Sequence, residues 1–193
     1  MSLKLNSMKR IFDLILALII LASSFIPLIL IAIVVRLTSN GPAFHWSSRV
    51  GRYNQIFSMP KFRTMHTDTP VVATHLLANP DTYLTPVGKF LRTTSLDELP
   101  QLYSILMGHM SFVGPRPALF NQDDLIELRT LAGVHALTPG LTGWAQVNGR
   151  DELPIPDKVE LDKVYLQKQS WLFDLQILLR TFVKVMRREG VVH

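Results

Sequence analysis

From Ile11 to Val35 apolar side chains run almost without interruption, broken only by Asp13, Ser23, Ser24 and Pro27 and bounded by Lys9, Arg10 and Arg36. At about 1.5 Å of rise per residue, a helix of roughly 25 residues can cross a hydrocarbon core about 30 Å thick. The stretch is about twice as long as the apolar core of a cleavable signal peptide, and it ends in Val34, Val35 and Arg36 instead of a small-residue cleavage site. It is therefore expected to stay on the protein as an anchor, residues 1–38, with 39–193 folding as one domain. Pro27 removes a backbone donor, and the hydroxyls of Ser23 and Ser24 can re-satisfy carbonyls freed by a kink, so a break near Pro27 is expected. Basic residues flank the segment on both sides, Lys4, Lys9 and Arg10 before it and Arg36, Arg49, Arg52, Lys61 and Arg63 after it. The positive-inside rule draws both flanks to the cytoplasm. A re-entrant helical hairpin satisfies that pull, and a plain bitopic helix with a tolerated proline satisfies the hydropathy equally well.

Beyond the anchor the pattern shortens. Arg49 to Met65 reads as short extended pieces, and Thr67 to Thr85, with Pro70, Asn79, Pro80 and Asp81, reads as a loop. A helix is predicted from about Val87 to Arg92. Leu99, Leu102, Tyr103, Ile105 and Leu106 then recur at helical spacing until Gly108. Gly114-Pro115-Arg116-Pro117 predicts a rigid loop, Asn121 to Leu131 a helix, and Thr138 to Arg150 a turn-rich stretch with glycines at 140, 143 and 149. Trp171 to Arg188 is amphipathic: Leu172, Leu175, Leu179, Phe182, Val183 and Met186 share a side, and Arg180, Lys184, Arg187 and Arg188 supply positive charge. Such a helix can lie at the head-group boundary, or it can cover the domain core. The fold class expected is α+β, mostly helical: a membrane-embedded N-terminal helix plus a small cytoplasmic domain with amphipathic interfacial helices.

Composition narrows the chemistry. With 193 residues, 48% of them hydrophobic, the chain is long enough for one domain with a real core. The absence of cysteine excludes a disulfide framework, a thiolate metal site and a thiol nucleophile. A formal charge of +5 points to an anionic partner: phospholipid head groups, nucleic acid or a phosphorylated substrate. Histidines 45, 66, 75, 109, 135 and 193 are scattered, with no pair at zinc-binding spacing, and the glycines miss the dinucleotide and P-loop spacings.

The pair Asp97-Glu98 stands between Leu96 and Leu99, with Pro100 just beyond and Arg92 five residues before. Proline is tolerated in the first turn of a helix, so a helix should begin close to Asp97 and place its carboxylate at the positive end of a macrodipole, where phosphates also bind. Two adjacent carboxylates at a phosphate site can divide the work, one attacking phosphorus and the other holding Mg²⁺. Arg116, pinned between prolines, can clamp a phosphate bidentately, and Lys61, Arg63 and Arg92 are further candidates. An isolated Asp-Glu pair is more often a helix cap with a first-turn acid, and a lone basic residue is more often a solvated charge.

Taken together and in order, the blocks Arg49-Val50-Gly51, Lys61-Phe62-Arg63-Thr64-Met65, Ser95 to Leu102, Met110 to Pro117 and Pro139 to Arg150 behind one N-terminal anchor resemble the bacterial sugar transferases. The likeness is to their short, monotopic form, the polyprenol-phosphate phosphoglycosyl transferases. That resemblance implies transfer of a phosphosugar from a UDP-sugar to polyprenyl phosphate, with release of UMP. Asp97 is implied as the nucleophile that carries the phosphosugar, and Glu98 as its acidic partner associated with Mg²⁺. Arg92 and Arg116 match phosphate-contacting arginines, Lys61 a basic residue near the site, and Arg150 a segment associated with nucleotide-sugar recognition. The family often breaks its membrane helix at an adjacent Ser-Pro pair, whereas here Phe25 and Ile26 separate Ser24 from Pro27. The resemblance also implies a catalytic face at the cytoplasmic side of the bacterial inner membrane, in contact with membrane lipid and without a nucleic-acid partner. The competing readings are a metal-dependent glycosyl transferase releasing UDP, and a membrane-tethered binding module for anionic lipid or nucleic acid.

Overall fold

The computed structural model describes residues 3–70, 79–149 and 153–187. The chain opens with helix α1, Leu3–Thr38, and continues into the antiparallel hairpin of β1, Phe44–Val50, and β2, Ile56–Phe62. Between these strands Tyr53 and Asn54 both take left-handed backbone angles (φ 55° and 59°), and Gly51 donates to the Gln55 carbonyl at 2.7 Å. Two consecutive left-handed residues give a hairpin turn whose twist matches that of its strands. After helix α2, Gly88–Thr93, a 3₁₀ segment covers Leu96–Gln101 and runs into α3, Leu102–Leu106. Strand β3, Ser111–Val113, pairs in parallel with β4, Gly140–Thr142; α4, Asp123–Leu131, lies between them in sequence. The short α5, Trp144–Asn148, then α6, Ile155–Lys168, and α7, Trp171–Arg187, complete a mostly helical α+β fold.

The extended reading of 49–65 is the second half of this hairpin, which starts earlier, at Phe44. The stretch 138–150 departs from the turn-rich expectation: it holds a strand and a short helix.

One core joins elements from both ends of the chain. Ala17 of α1, Phe57 and Met59 of β2, Ile105 of α3, Phe112 of β3, Tyr165 of α6 and Ile177 of α7 are all buried in it. A second cluster joins Val35, at the other end of α1, to Phe62 and Leu91, with Leu28, Ile31 and Ala32 packed against it. Both halves of α1 therefore pack on the same domain. Polar contacts pin the first half as well: Lys9 bonds Tyr165 and Asp174, Arg10 donates to the carbonyls of Ile105 and Leu106 at the end of α3, and Asp13 accepts from the Phe112 amide at 3.2 Å.

The opposite side of α1 is bare, with Ile11, Ile15, Leu18, Ile19, Phe25, Ile26, Ile29, Leu30 and Ile33 exposed. By length and composition Ser7–Thr38 is apolar enough to cross a membrane. Pro27 lies inside this one helix, not between two. Ser23 and Ser24 both donate to the Ile20 carbonyl, at 3.0 and 2.6 Å, and not to the Ser23 carbonyl that Pro27 leaves without its usual donor.

The motif glycines are explained by backbone contact between β3 and β4. A Cβ on Gly114 would stand 2.3 Å from the Thr138 carbonyl oxygen, one on Gly140 2.1 Å from the Gly114 nitrogen, and one on Gly143 2.1 Å from the Gly114 oxygen. These obstacles are backbone atoms, so no side-chain rotation relieves them. Gly140→Ala is expected to destabilise the fold by about 2–3 kcal/mol and to lower the thermal unfolding midpoint by roughly 5–10 °C, measured on detergent-solubilised protein.

Candidate active site

The sequence Lys61-Phe62-Arg63-Thr64-Met65 leaves the hairpin and delivers its side chains to different tasks. Lys61 Nζ donates to Glu98 Oε1 at 2.7 Å, whereas Phe62 is buried at 1% exposure in the second core cluster. Arg63 Nη1 bonds the Asn40 carbonyl at 2.8 Å, so this candidate phosphate ligand instead ties down the corner after α1. Thr64 Oγ1 accepts from Arg92 Nε at 3.0 Å, and Met65 Sδ accepts from Arg92 Nη2 at 3.1 Å. Two residues of one short motif thus orient the guanidinium contributed by the last turn of α2.

Ser95, in a left-handed conformation (φ 57°), turns the chain from α2 into the 3₁₀ segment that carries Asp97 and Glu98. The expectation of an α-helix beginning at Asp97 is corrected here. Pro100 lies inside a 3₁₀ turn, and α3 starts only at Leu102, so Asp97 is not at the mouth of an α-helix. The cap reading fails too, because Ser95 holds the cap position and makes no side-chain cap bond. The positive field at Asp97 comes from side chains: Lys61, Arg92 and Arg116 all act on it.

Glu98 is the hub. Its Oε1 accepts from Lys61 and, at 3.1 Å, from Arg116 Nη2 on the loop after β3. Burial works to raise its pKa, but the two cations outweigh burial and hold the carboxyl well below the usual carboxylate range. Asp97 behaves in the opposite way. It is only 7% exposed, and no hydrogen bond or ion pair to its carboxylate is found among the described residues. Burial first, and then the negative charge of Glu98, push it up to about 6, against the pull of Lys61, Arg92 and Arg116. The two adjacent carboxylates therefore differ: two bonded cations keep Glu98 ionised, whereas Asp97, with no bonded partner among the described residues, is held above the usual carboxylate range.

The structure thus brings together Lys61, Arg92, Asp97, Glu98 and Arg116, five of the residues singled out in the sequence. Arg150 lies outside the described residues. Sequence reasoning passed over Thr64, whose placement beside Arg92 requires the hairpin to be known, and the buried Arg129, whose partner Asp162 lies on another helix.

No group of three or more metal-ligating side chains occurs among the described residues. Mg²⁺ does not need one, since it commonly takes one or two carboxylates and completes its shell with water and substrate phosphate oxygens. The donor set fits such an ion: adjacent carboxylates of which, among the described residues, only Oε1 of Glu98 is occupied, by Lys61 and Arg116.

Comparison with known proteins identifies the family. The sequence model of the bacterial sugar transferase family matches residues 4–188. The uncharacterized sugar transferase EpsL of Bacillus subtilis (strain 168) is 40% identical over 186 residues, covering 95% of this chain and 90% of that protein. Exopolysaccharide production protein ExoY of Rhizobium meliloti (strain 1021) is 38% identical over 200 residues, covering 94% of this chain and 87% of that protein. The UDP-glucose:undecaprenyl-phosphate glucose-1-phosphate transferase of Escherichia coli (strain K12) is 40% identical over 187 residues; the match takes in 92% of this chain but spans 40% of that longer relative. A likeness that runs nearly end to end places the chain in the bacterial sugar transferase family.

Proposed function

We propose that this protein transfers a phosphosugar from a UDP-sugar to polyprenyl phosphate, releasing UMP through a covalent intermediate on Asp97. The observation that carries the reading is the Asp97 carboxylate itself: buried, unbonded among the described residues and surrounded by Lys61, Arg92 and Arg116. Two longer relatives, named as a glucose-1-phosphate transferase and a galactose phosphotransferase acting with undecaprenyl phosphate, support the same substrate class.

In the first displacement an Asp97 carboxylate oxygen forms a bond to the sugar-bearing phosphorus. The bond from that phosphorus to the bridging oxygen breaks, and its electron pair leaves on UMP. In the second, a phosphate oxygen of the lipid attacks the same phosphorus and the Asp97 carboxylate departs with the electron pair. One carboxylate thus acts as nucleophile and then as leaving group. Lys61, Arg92 and Arg116 neutralise the pyrophosphate and stabilise charge spread over its oxygens. Glu98 orients Lys61 and Arg116 and would hold Mg²⁺. That ion, when bound, supplies additional neutralisation of phosphate charge.

A re-entrant anchor at the cytoplasmic face of the inner membrane completes the proposal. It is supported by the packing of both halves of α1 on one domain, since a helix crossing the bilayer would carry one end away from it. Pro27 inside α1 is the natural place for a bend.

Incubation with a panel of UDP-sugars and undecaprenyl phosphate should release UMP, and Asp97→Asn should reduce that release by at least about 10³-fold. UMP release that persists in this variant, or UDP as product, would refute the mechanism. Because the nucleophile must be ionised, kcat/KM should fall as pH drops through about 6.

The same shift has a stability consequence of opposite sense. Asp97 holds its proton more tightly in the folded protein than at the ordinary value of 3.8, so its ionisation opposes folding as pH rises. Asp97→Asn should therefore be more stable than the parent by about 2–3 kcal/mol above pH 6, with the difference vanishing below about pH 4, as read by thermal unfolding across pH. Reporter tags at the two termini should both lie in the cytoplasm; a periplasmic C-terminus would reject re-entry.

A further inference from the structure

Two prolines flank Arg116, and proline has no backbone N–H, so the Pro115-Arg116-Pro117 loop must be held largely through its carbonyls. Each carbonyl has its own donor. That of Pro115 accepts from the Gly140 amide at 2.9 Å, that of Arg116 from Arg129 Nη1 at 2.7 Å, and that of Pro117 from Arg49 Nη1 at 3.3 Å. The central donor is unusual. Arg129, on α4, is only 8% exposed, and its Nε and Nη2 both bond Oδ2 of Asp162 on α6, at 2.9 and 2.6 Å. Asp162 is 1% exposed.

A buried ion pair is a poor device for stability alone, because desolvating both charges offsets most of their attraction. The neighbouring contact between α4 and α6 is made by apolar side chains, Leu125 and Val159, with Ala118. What the guanidinium does that an apolar residue cannot is direct a third N–H at the backbone of Arg116. Lysine, a point charge without a planar fork, cannot hold both partners in the same way. Misplacing a catalytic group by about 1 Å can cost roughly 10²-fold in rate.

We propose that Arg129, oriented by Asp162, is a positioning residue for the transfer reaction: it fixes the backbone of Arg116 so that the Arg116 guanidinium faces Glu98 and the donor's phosphates. This rests on the reading of Arg116 as a phosphate clamp. The chain of contacts runs from Asp162 through Arg129 and the Arg116 carbonyl to the Arg116 side chain and Glu98.

The test is a double-mutant cycle on the full-length protein in liposomes, using the best donor of the UDP-sugar panel and reading UMP release, with thermal unfolding in parallel. Arg129→Lys should lower kcat/KM by about 10–100-fold, mostly through KM for the UDP-sugar. In an Arg116→Ala background the same change should cost less than about threefold, since the residue it positions is already gone. Losses that multiply, or an Arg129→Lys enzyme within twofold of the parent, would overturn the proposal. Should Arg129→Lys fail to fold, Asp162→Asn carries the same cycle, because it leaves Arg129 in place but loosens its orientation. An Arg116→Ala protein with parental activity would instead refute the assignment of Arg116 to the site, a separable failure.

Discussion

The site depends on a single carboxylate oxygen. Oε1 of Glu98 receives both Lys61 from the hairpin and Arg116 from the loop after β3, and so joins two parts of the chain distant in sequence. Lys61 and Arg116 would repel each other at this distance, and the carboxylate they share offsets that repulsion. Glu98 is partly buried, with about a fifth of its side chain exposed, so the bridge lies where water screens it weakly. The same charge, one residue from Asp97, adds to burial in raising that neighbour above the usual carboxylate range. One acidic side chain therefore both gathers the cations and tunes its neighbour.

Around that bridge the fold restrains backbone. The hairpin brings in Lys61 and lets Thr64 steady Arg92, while the glycine contacts between β3 and β4 bring the Arg116 loop close. Helix α1 is part of this scaffold as well as an anchor. Its inner face enters the domain core at Ala17 and again at Val35, and Arg10 satisfies carbonyls at the end of α3, the helix that follows the acidic pair. Membrane attachment and active-site geometry thus share supports.

Much of this was legible in the sequence because the signals were local. A long apolar run, an Asp-Glu pair before a proline, and an arginine between prolines each state their own chemistry. Helix α6 was not read at all, because Asp162 and Tyr165 occupy its inward face beside Val159 and break the apolar rhythm that reveals amphipathic helices. Asp162 is buried there for a partner, Arg129, that lies 33 positions away. The 3₁₀ character of Leu96–Gln101 was missed for a related reason: Pro100 is compatible with the start of an α-helix, and only the left-handed Ser95 and the late onset of α3 decide otherwise. The roles within Lys61 to Met65 also needed the third dimension, since Arg63 and Arg92 look alike until their acceptors are seen.

The 7% exposure of Asp97 has a bearing on timing. Acyl phosphates hydrolyse when water reaches them in line with the leaving carboxylate. Under the proposed mechanism, a phosphosugar attached at so enclosed a position would be sheltered from that side reaction. The enzyme could then wait, charged, for a scarce lipid to diffuse along the bilayer, and the survival of each activated sugar would be set by lipid supply instead of solvent attack.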